Sequence, residues 1–211
     1  MPPARLYVNA EAKGGTGDGG SWANALIRLE SALELAACGT VKEIWVASGT
    51  YTPAPTGKPR RAAFHLVDKV AIYGGFTGTE TSLDQRNFID NATVLSGYLA
   101  GGYHDGEAKA ANEENCYHVV LAKHCEAETI LDGFTIVGGN ANGPEAPDER
   151  GGGIYIYGGG PTIRNCTFID NYASSHGGAV FADHISVPLL DRCLFLSNLA
   201  GQTGGAVSHG N

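Results

Sequence analysis

Three charged residues occupy one position of a repeating pattern in the second half of the chain. Asp132, Arg164 and Asp191 are separated by 32 and 27 residues, and the segments around them align. Carboxylates stacked with a basic residue are the groups that a polysaccharide lyase requires, since a base takes a proton and a cation such as Ca²⁺ neutralises the substrate carboxylate. The alternative is a ladder of alternating charge, which stabilises a fold by about a few tenths of a kcal/mol per pair. The sequence leaves both interpretations open.

A second pair of acids lies in a loop that is inserted between repeats. Asp148 and Glu149 are adjacent there, and Glu145 is close by. A glycosidase needs two carboxyl groups roughly 5–9 Å apart. The pair is therefore a candidate catalytic pair, and the alternative is a polar surface loop.

The segment 97–115 combines acids with aromatic residues. Sugar rings stack on aromatic faces beside polar groups, so this segment is a candidate glycan contact. The candidate residues are Tyr98, Tyr103, His104, Asp105 and Tyr117. The spacing of the acids fits no calcium-loop template, so we expect no metal site and no cofactor, with Ca²⁺ as the one alternative.

These residues must be positioned by a repeat. PTIRNCTFIDNYASSHGGAVF begins at Pro161 and PLLDRCLFLSNLAGQTGGAVS begins at Pro188, a period of 27 residues, and ILDGFTIVGGNA aligns with both. A unit this short cannot bury its own apolar face and must stack on its neighbour. The step from Ile163 to Cys166 is odd, whereas side chains of a strand alternate with period two, so a bend falls at Arg164-Asn165. The equivalent bends are Asp132-Gly133 and Asp191-Arg192.

Short strands joined by bends predict an all-β fold, a parallel β-helix of about six rungs. The interior ladders are expected to be Leu131/Ile163/Leu190 and Ile136/Phe168/Phe195. Asn171 and Asn198 should stack as an amide ladder at a turn. The structural glycines of the repeat are Gly177, Gly178, Gly204 and Gly205.

The N-terminal part of the chain has a different pattern. Residues 6–9 form a short strand candidate, and apolar residues recur at helical spacing over 22–37, with Ser21 as N-cap and Gly39 as the stop. We therefore expect a cap at 1–42 and a β-helix at 43–211. The β-helix has no C-terminal cap in this sequence, which predicts a longer protein or self-association through the last rung.

Composition excludes several classes of protein. The net charge is −8 and the 14 Lys and Arg residues form no cluster, so a nucleic-acid partner is not expected. We also expect no membrane insertion and no signal peptide, because no apolar run is long enough. The five cysteines show no CxxC motif, and Cys116–Cys125 is the one candidate disulfide.

The motifs resemble two groups of known proteins. FIDN…GGAV and FLSN…GGAV resemble the FxxN and GGA[ILV] repeats of chlamydial polymorphic outer-membrane proteins. The run from LYVN through EIWVASGTY, VAIYGGFTGTETSLDQR and GGGIY is similar to secreted bacterial β-helix proteins of the pectin-lyase-like superfamily. The resemblance implies a right-handed, single-stranded coil with three parallel sheets and an extracellular or cell-surface location.

Two functions follow as hypotheses. The first is a non-enzymatic surface module acting in adhesion or contact with a polysaccharide or host-surface glycan. The second is a polysaccharide lyase or glycoside hydrolase acting on an acidic polysaccharide, with a groove roofed by loops 52–63, 97–115 and 138–151. Convergence of those loops over two carboxylates would favour the enzyme.

Overall fold

A computed structural model describes residues 4–53, 59–99, 114–183 and 185–210. The helix α1 in these ranges is Leu29–Ala36, and short 3₁₀ turns cover Trp22–Asn24 and Leu83–Gln85. The strands before residue 130 are β1 Arg5–Val8, β2 Glu43–Ala47, β3 Gly49–Tyr51, β4 Phe64–His65, β5 Ala71–Phe76, β6 Thr93–Ser96 and β7 Val120–Cys125. The next are β8 Ile130–Asp132, β9 Thr135–Val137, β10 Asn140–Ala141, β11 Ile154–Gly159, β12 Thr162–Arg164 and β13 Thr167–Ile169. The last are β14 Tyr172–Ala173, β15 Val180–Ala182, β16 Leu189–Asp191, β17 Leu194–Leu196, β18 Leu199–Ala200 and β19 Val207–His209.

The strands stack into all-parallel sheets, which confirms the predicted β-helix. In the order in which a rung crosses them, the sheets are β1-β2-β5-β8-β12-β16 (first), β3-β6-β9-β13-β17 (second), β10-β14-β18 (third) and β4-β7-β11-β15-β19 (fourth). A rung begins at each strand of the first sheet, which gives six rungs in the described chain, namely one at β1 and five from Glu43 onward, where the sequence predicts about six. The structure has four sheets and not three, because a further corner separates the two-residue strands of the third sheet from the strands of the fourth sheet. The right-handedness of the coil stays a prediction.

Residues with a left-handed backbone conformation form the corners of the coil. In rung 5 the backbone has a positive φ at Asn165 (51°), at Asp170 (51°) and at Gly177 (65°). The first of these is the bend that the odd spacing predicts. The positive φ at Asp170 bends the chain again directly after the three-residue strand β13. At the third corner, Gly177 tolerates the left-handed φ, while Gly178 has no room for a Cβ against the carbonyl groups of Leu199 and Gly205.

The interior ladders have the predicted register. Ile163 pairs with Leu131 and Leu190 across the first sheet. Phe168 pairs with Ile136 and Phe195 across the second sheet, and the rings of Phe168 and Phe195 stack with centroids 5.0 Å apart. Because the register places apolar side chains on one another, the core is a continuous column along the coil.

An amide ladder closes the second corner. The Asn171 Nδ2 group donates to Asn198 Oδ1 at 2.9 Å and to the carbonyl oxygen of Ile136 at 3.0 Å. Asn171 Oδ1 accepts from the backbone N–H of Gly139 at 3.0 Å, and Asn171 is fully buried. The side chain thereby satisfies backbone groups that the bend takes out of the sheets.

The helix near the N-terminus is shorter than predicted. It covers Leu29–Ala36 and not 22–37, because the segment before it is extended and bonds to the free edge of β1. The Leu26 N–H donates to the Tyr7 carbonyl at 2.9 Å, and the Asn9 N–H donates to the Leu26 carbonyl at 2.8 Å. These bonds take the backbone of that segment out of a helix and cover the strand edge. Ser21 caps the 3₁₀ turn, and β1 is paired with β2 as the first strand of the first sheet.

Rung 6 differs from rung 5 on its outer face. The outward residues Thr162, Thr167 and Tyr172 of rung 5 are followed at the same positions by Leu189, Leu194 and Leu199. These leucines are 57%, 53% and 54% exposed. Self-association through this rung stays a prediction.

Candidate ligand-binding groove

The sequence-predicted charge column begins with a buried acid. Asp132 is 1% exposed and pairs with Arg164 of the next rung, so this part of the predicted charge ladder is buried and not on the surface. Its Oδ2 is 2.8 Å from Arg86 Nη2 and 2.7 Å from Arg164 Nε, and its Oδ1 accepts from Asn165 Nδ2 at 2.8 Å. Burial opposes ionisation of this carboxyl, but the hydrogen bonds from Arg86, Asn165 and Arg164 prevail and hold its pKa below the ordinary value.

The rest of the column forms a chain of polar contacts along the coil axis. Asn165, which binds Asp132, accepts from Arg192 Nε at 3.0 Å, one rung further on. Arg192 Nη2 also lies 3.0 Å from Asp191 Oδ2. The candidate trio Asp132, Arg164 and Asp191 therefore pairs with arginines and asparagine, and its acids have different environments. Asp191 is on the surface and Asp132 is in the interior.

Arg86 connects this column to a loop of the irregular half. Its Nη1 donates to the carbonyl oxygens of Gly74 and Asp132, each at 3.1 Å. The guanidinium lies 5.3 Å from the ring centroid of Tyr73 and 5.3 Å from that of Phe88. Arg86 thus fixes the position of the segment 86–92 beside the first corner of rungs 4 to 6.

An open groove of about 500 Å³ lies between that segment and the corner. Its floor crosses three successive rungs, about 10 Å along the axis at the usual strand spacing. The lining residues are Phe88, Ile89, Ala92, Gly133, Phe134, Thr135, Asn165, Cys166, Thr167 and Arg192.

The groove combines hydrogen-bonding groups with an apolar wall. Thr135 and Thr167 are paired neighbours on the outer face of the second sheet. Neither hydroxyl has a hydrogen-bond partner within the described ranges, so both are available to a ligand. Arg192 supplies a guanidinium whose side chain is 68% exposed, and Ile89 on the opposite wall is 80% exposed. This arrangement suits an extended ligand that bears hydroxyl and carboxylate groups.

The other predicted acids lie at a different corner. Asp148 is 4% exposed and binds Arg61 through one oxygen, at 2.8 Å from Nε and 2.7 Å from Nη2. Glu149 Oε1 is 2.9 Å from Arg150 Nε. Arg60 also joins the loops, because it donates to the carbonyl groups of residues 115 and 140. The described parts of the three predicted loops do meet, but both carboxylates face arginines.

A histidine that sequence analysis overlooked lies under this loop. His118 is 3% exposed, and its Nδ1 is 2.9 Å from the carbonyl oxygen of Gly151. This contact makes Nδ1 the protonated nitrogen, so Nε2 is a bare acceptor, and it is buried without a partner among the described residues. Burial lowers the pKa of His118, as does Lys123, against the opposing contributions of Gly151, Asp148 and Glu149.

The aromatic candidates are only partly visible. Tyr98 is half-buried, and the Arg60 guanidinium lies 4.3 Å from the ring centroid of Tyr117. Neither tyrosine lines the groove. Tyr103, His104 and Asp105 lie outside the described residues, so their contact with sugar stays a prediction.

Metal and disulfide chemistry can be considered only for the described residues. Within them no group of three or more His, Cys, Asp or Glu side chains could hold a metal ion. The Cys116 and Cys125 thiols are free and buried, so the candidate disulfide is not formed. Burial raises the pKa of Cys116 to about 12 and that of Cys125 to about 11. Where the chain is described, no helix is long and apolar enough to span a membrane.

Part of the chain matches a known protein family. Residues 165–183 match the model of the Chlamydia polymorphic membrane protein repeat. They cover the first corner of rung 5, the amide ladder and the Gly177-Gly178 turn. No curated protein and no solved structure matches the chain. The pectin-lyase-like resemblance thus stays a prediction, whereas the repeat resemblance is confirmed over these residues.

Proposed function

We propose that this chain is a non-enzymatic module of a cell-surface or secreted protein and that its groove contacts a glycan. The repeat match to a membrane protein supports the surface location. The observation that carries the proposal is the groove itself, in which threonine hydroxyls and the Arg192 guanidinium face the apolar side chains of Phe88 and Ile89.

The groove favours a linear acidic glycan. Its floor repeats the same outward residue type at Thr135 and Thr167, so successive sugar units would meet similar hydroxyl groups. Arg192 would bind a sugar carboxylate through its free N–H groups, and the Phe88 ring would contact an apolar sugar face. Asn165 would orient Arg192 through the hydrogen bond to Nε.

The alternative is a lyase or hydrolase at the corner of His118 and Asp148, where the predicted loops meet. The buried Nε2 atom of His118 is a candidate general base, and this is the observation that supports the enzyme alternative. It is the weaker of the two, since Asp148 and His118 are 4% and 3% exposed and Asp148 is paired with Arg61. A substrate would have to displace that ion pair before it reached either side chain.

Titration calorimetry with oligogalacturonate, alginate and chondroitin fragments tests the proposal. A neutral cello-oligosaccharide serves as the uncharged control. We expect saturable binding of an acidic fragment and at least about tenfold weaker binding by Thr167→Trp, which fills the groove. Thr50→Trp is the matched control, because Thr50 lies in the same outward column of the second sheet, outside the groove.

The same samples separate binding from catalysis. Ultraviolet absorbance of unsaturated products and reducing-end release should show no turnover. Turnover that is abolished by His118→Gln would establish the enzyme alternative, and equal binding by the Thr167 and Thr50 variants would show that the groove is not the site.

A further inference from the structure

A second cavity lies in the N-terminal half, and its lining residues fall between Glu30 and Val67, outside the repeat. It has a volume of about 480 Å³ and lies between α1 and the segment that contains β4. The lining residues are Glu30, Leu33, Glu34, Ala37, Pro53, Ala63, His65, Leu66 and Val67. This volume is within the range of small-molecule sites, roughly 300–1,000 Å³.

The floor of the cavity is apolar and well supported. Leu33, Ala63 and Leu66 are 5%, 8% and 7% exposed, so their positions are fixed by the core beneath them. Pro53 and Val67 complete the apolar wall. A ligand that covers this floor gains hydrophobic stabilisation without ordering the protein further.

The rim of the cavity is acidic. Glu30 and Glu34 are one helical turn apart on the same face of α1, an arrangement that by itself destabilises a helix. Arg28 reaches Glu30 at 2.8 Å, while Glu34 has no ion-pair partner within the described residues. Partial burial and the nearby Lys123 lower the pKa of His65, so it carries less positive charge at neutral pH than an ordinary histidine.

We propose that this pocket binds a small amphiphilic primary amine, with the ammonium group at Glu34 and Glu30 and the alkyl chain on Leu33, Leu66 and Val67. Charge complementarity selects a cation, and the apolar floor selects an alkyl body. A free alkylamine with a chain of about eight carbons covers more of the apolar floor than the four-carbon stem of a partner's lysine. The site is separate from the glycan groove and does not depend on it.

Calorimetric titration with n-octylamine at neutral pH tests this site, with octanoate as the probe of opposite charge. We expect one-site saturable binding of the amine and at least about tenfold weaker binding of octanoate. Glu34→Gln should weaken amine binding roughly two- to fivefold, the effect of one exposed ion pair. Glu11→Gln, an exposed acid outside the pocket, is the matched control and should bind normally.

Two further variants keep the outcome decisive. Ala37→Trp should fill the pocket and abolish binding while its circular dichroism stays that of the parent chain. Thr167→Trp should bind the amine normally, which separates this site from the glycan groove. Equal affinity for octanoate and the amine, or amine binding that survives Ala37→Trp in a folded protein, would overturn the proposal.

Discussion

Rungs 4 to 6 and rungs 1 to 3 build the same coil in different ways. In rungs 4 to 6 each turn has four strands in fixed register with bends at the same positions, and an amide ladder joins rungs 5 and 6. In rungs 1 to 3 the described strands vary from two to six residues and join only three of the sheets, with α1 and the segment 77–92 between them in the chain. The regular strands build the core of the coil, whereas segment 86–92 and α1 each form one wall of a cavity.

The difference is sharpest at one repeat position. Asp132 and Asp191 occupy equivalent places two rungs apart, yet only Asp132 is buried and bound by Arg86 from the irregular half. Arg86 and Asp132 therefore join the two halves of the coil, and we expect the largest loss of stability where this contact is removed.

The largest effect is expected from Asp132→Ala. It leaves Arg86 and Arg164 without their buried partner and should lower the free energy of unfolding by about 3–5 kcal/mol. Asp191→Ala, at the same repeat position, should cost at most about 1 kcal/mol because its pair with Arg192 is exposed. Urea denaturation of both variants measures the contrast, and similar losses would show that the joint has no special weight.

The second effect concerns the amide ladder within the regular half. Asn171→Ala leaves the Gly139 N–H and the Ile136 carbonyl without their partner and should cost about 1–3 kcal/mol. Asn198→Ala should cost less, because Asn198 is half-exposed. Thermal unfolding followed by circular dichroism compares the two. A larger loss for Asn198→Ala would contradict the role assigned to burial.

Much of the regular half could be predicted from the sequence. Two gapless copies and one shifted copy set the register, and the odd step from Ile163 to Cys166 located the first corner. The turn at Asn171 and Asn198 was predicted as well, but the separate two-residue strands that follow it, β14 and β18, were missed. That omission is why the structure has a sheet more than the resemblance implies.

The site could be predicted only in part. The position of Asp132 was found, but its partner Arg86 lies 46 residues away in a segment without repeat similarity. Whether an acid is buried depends on such a partner, and no spacing rule indicates it. The positions of Phe88 and Ile89 in the groove could not be predicted either, because they depend on the contacts by which Arg86 fixes their loop.

The third prediction uses pH to separate His118 from Asp132. The folded pKa of His118 is lowered, so its contribution to stability is complete above about pH 6.5, the unfolded value, and is lost as pH falls below it. Asp132 also has a lowered pKa, but its contribution is lost only below about pH 4. Unfolding measured against pH should therefore show two steps, and His118→Gln should reduce the upper step, to which His65 with its lowered pKa also contributes, without changing the lower step. A single step below pH 4 in the parent chain would contradict the assignment.

The smallest change in stability is expected at the outer face of rung 6. Leu194→Lys replaces a side chain that is 53% exposed and should change the unfolding free energy by at most about 0.5 kcal/mol. If the last rung self-associates, the same substitution should lower the mass seen by sedimentation velocity. Ile27→Lys, 59% exposed in the N-terminal half, is the control and should leave the mass unchanged. A parent chain that sediments as a monomer at all concentrations would contradict self-association through the last rung.

We propose that the groove between segment 86–92 and the first corner binds an acidic glycan. Amide chemical-shift mapping of the labelled chain with the tightest-binding acidic oligosaccharide is the decisive measurement. We expect saturable shifts concentrated at Phe88, Ile89, Thr135, Thr167 and Arg192. Shifts concentrated instead at His118 and residues 142–151, or spread evenly over the coil, would contradict it.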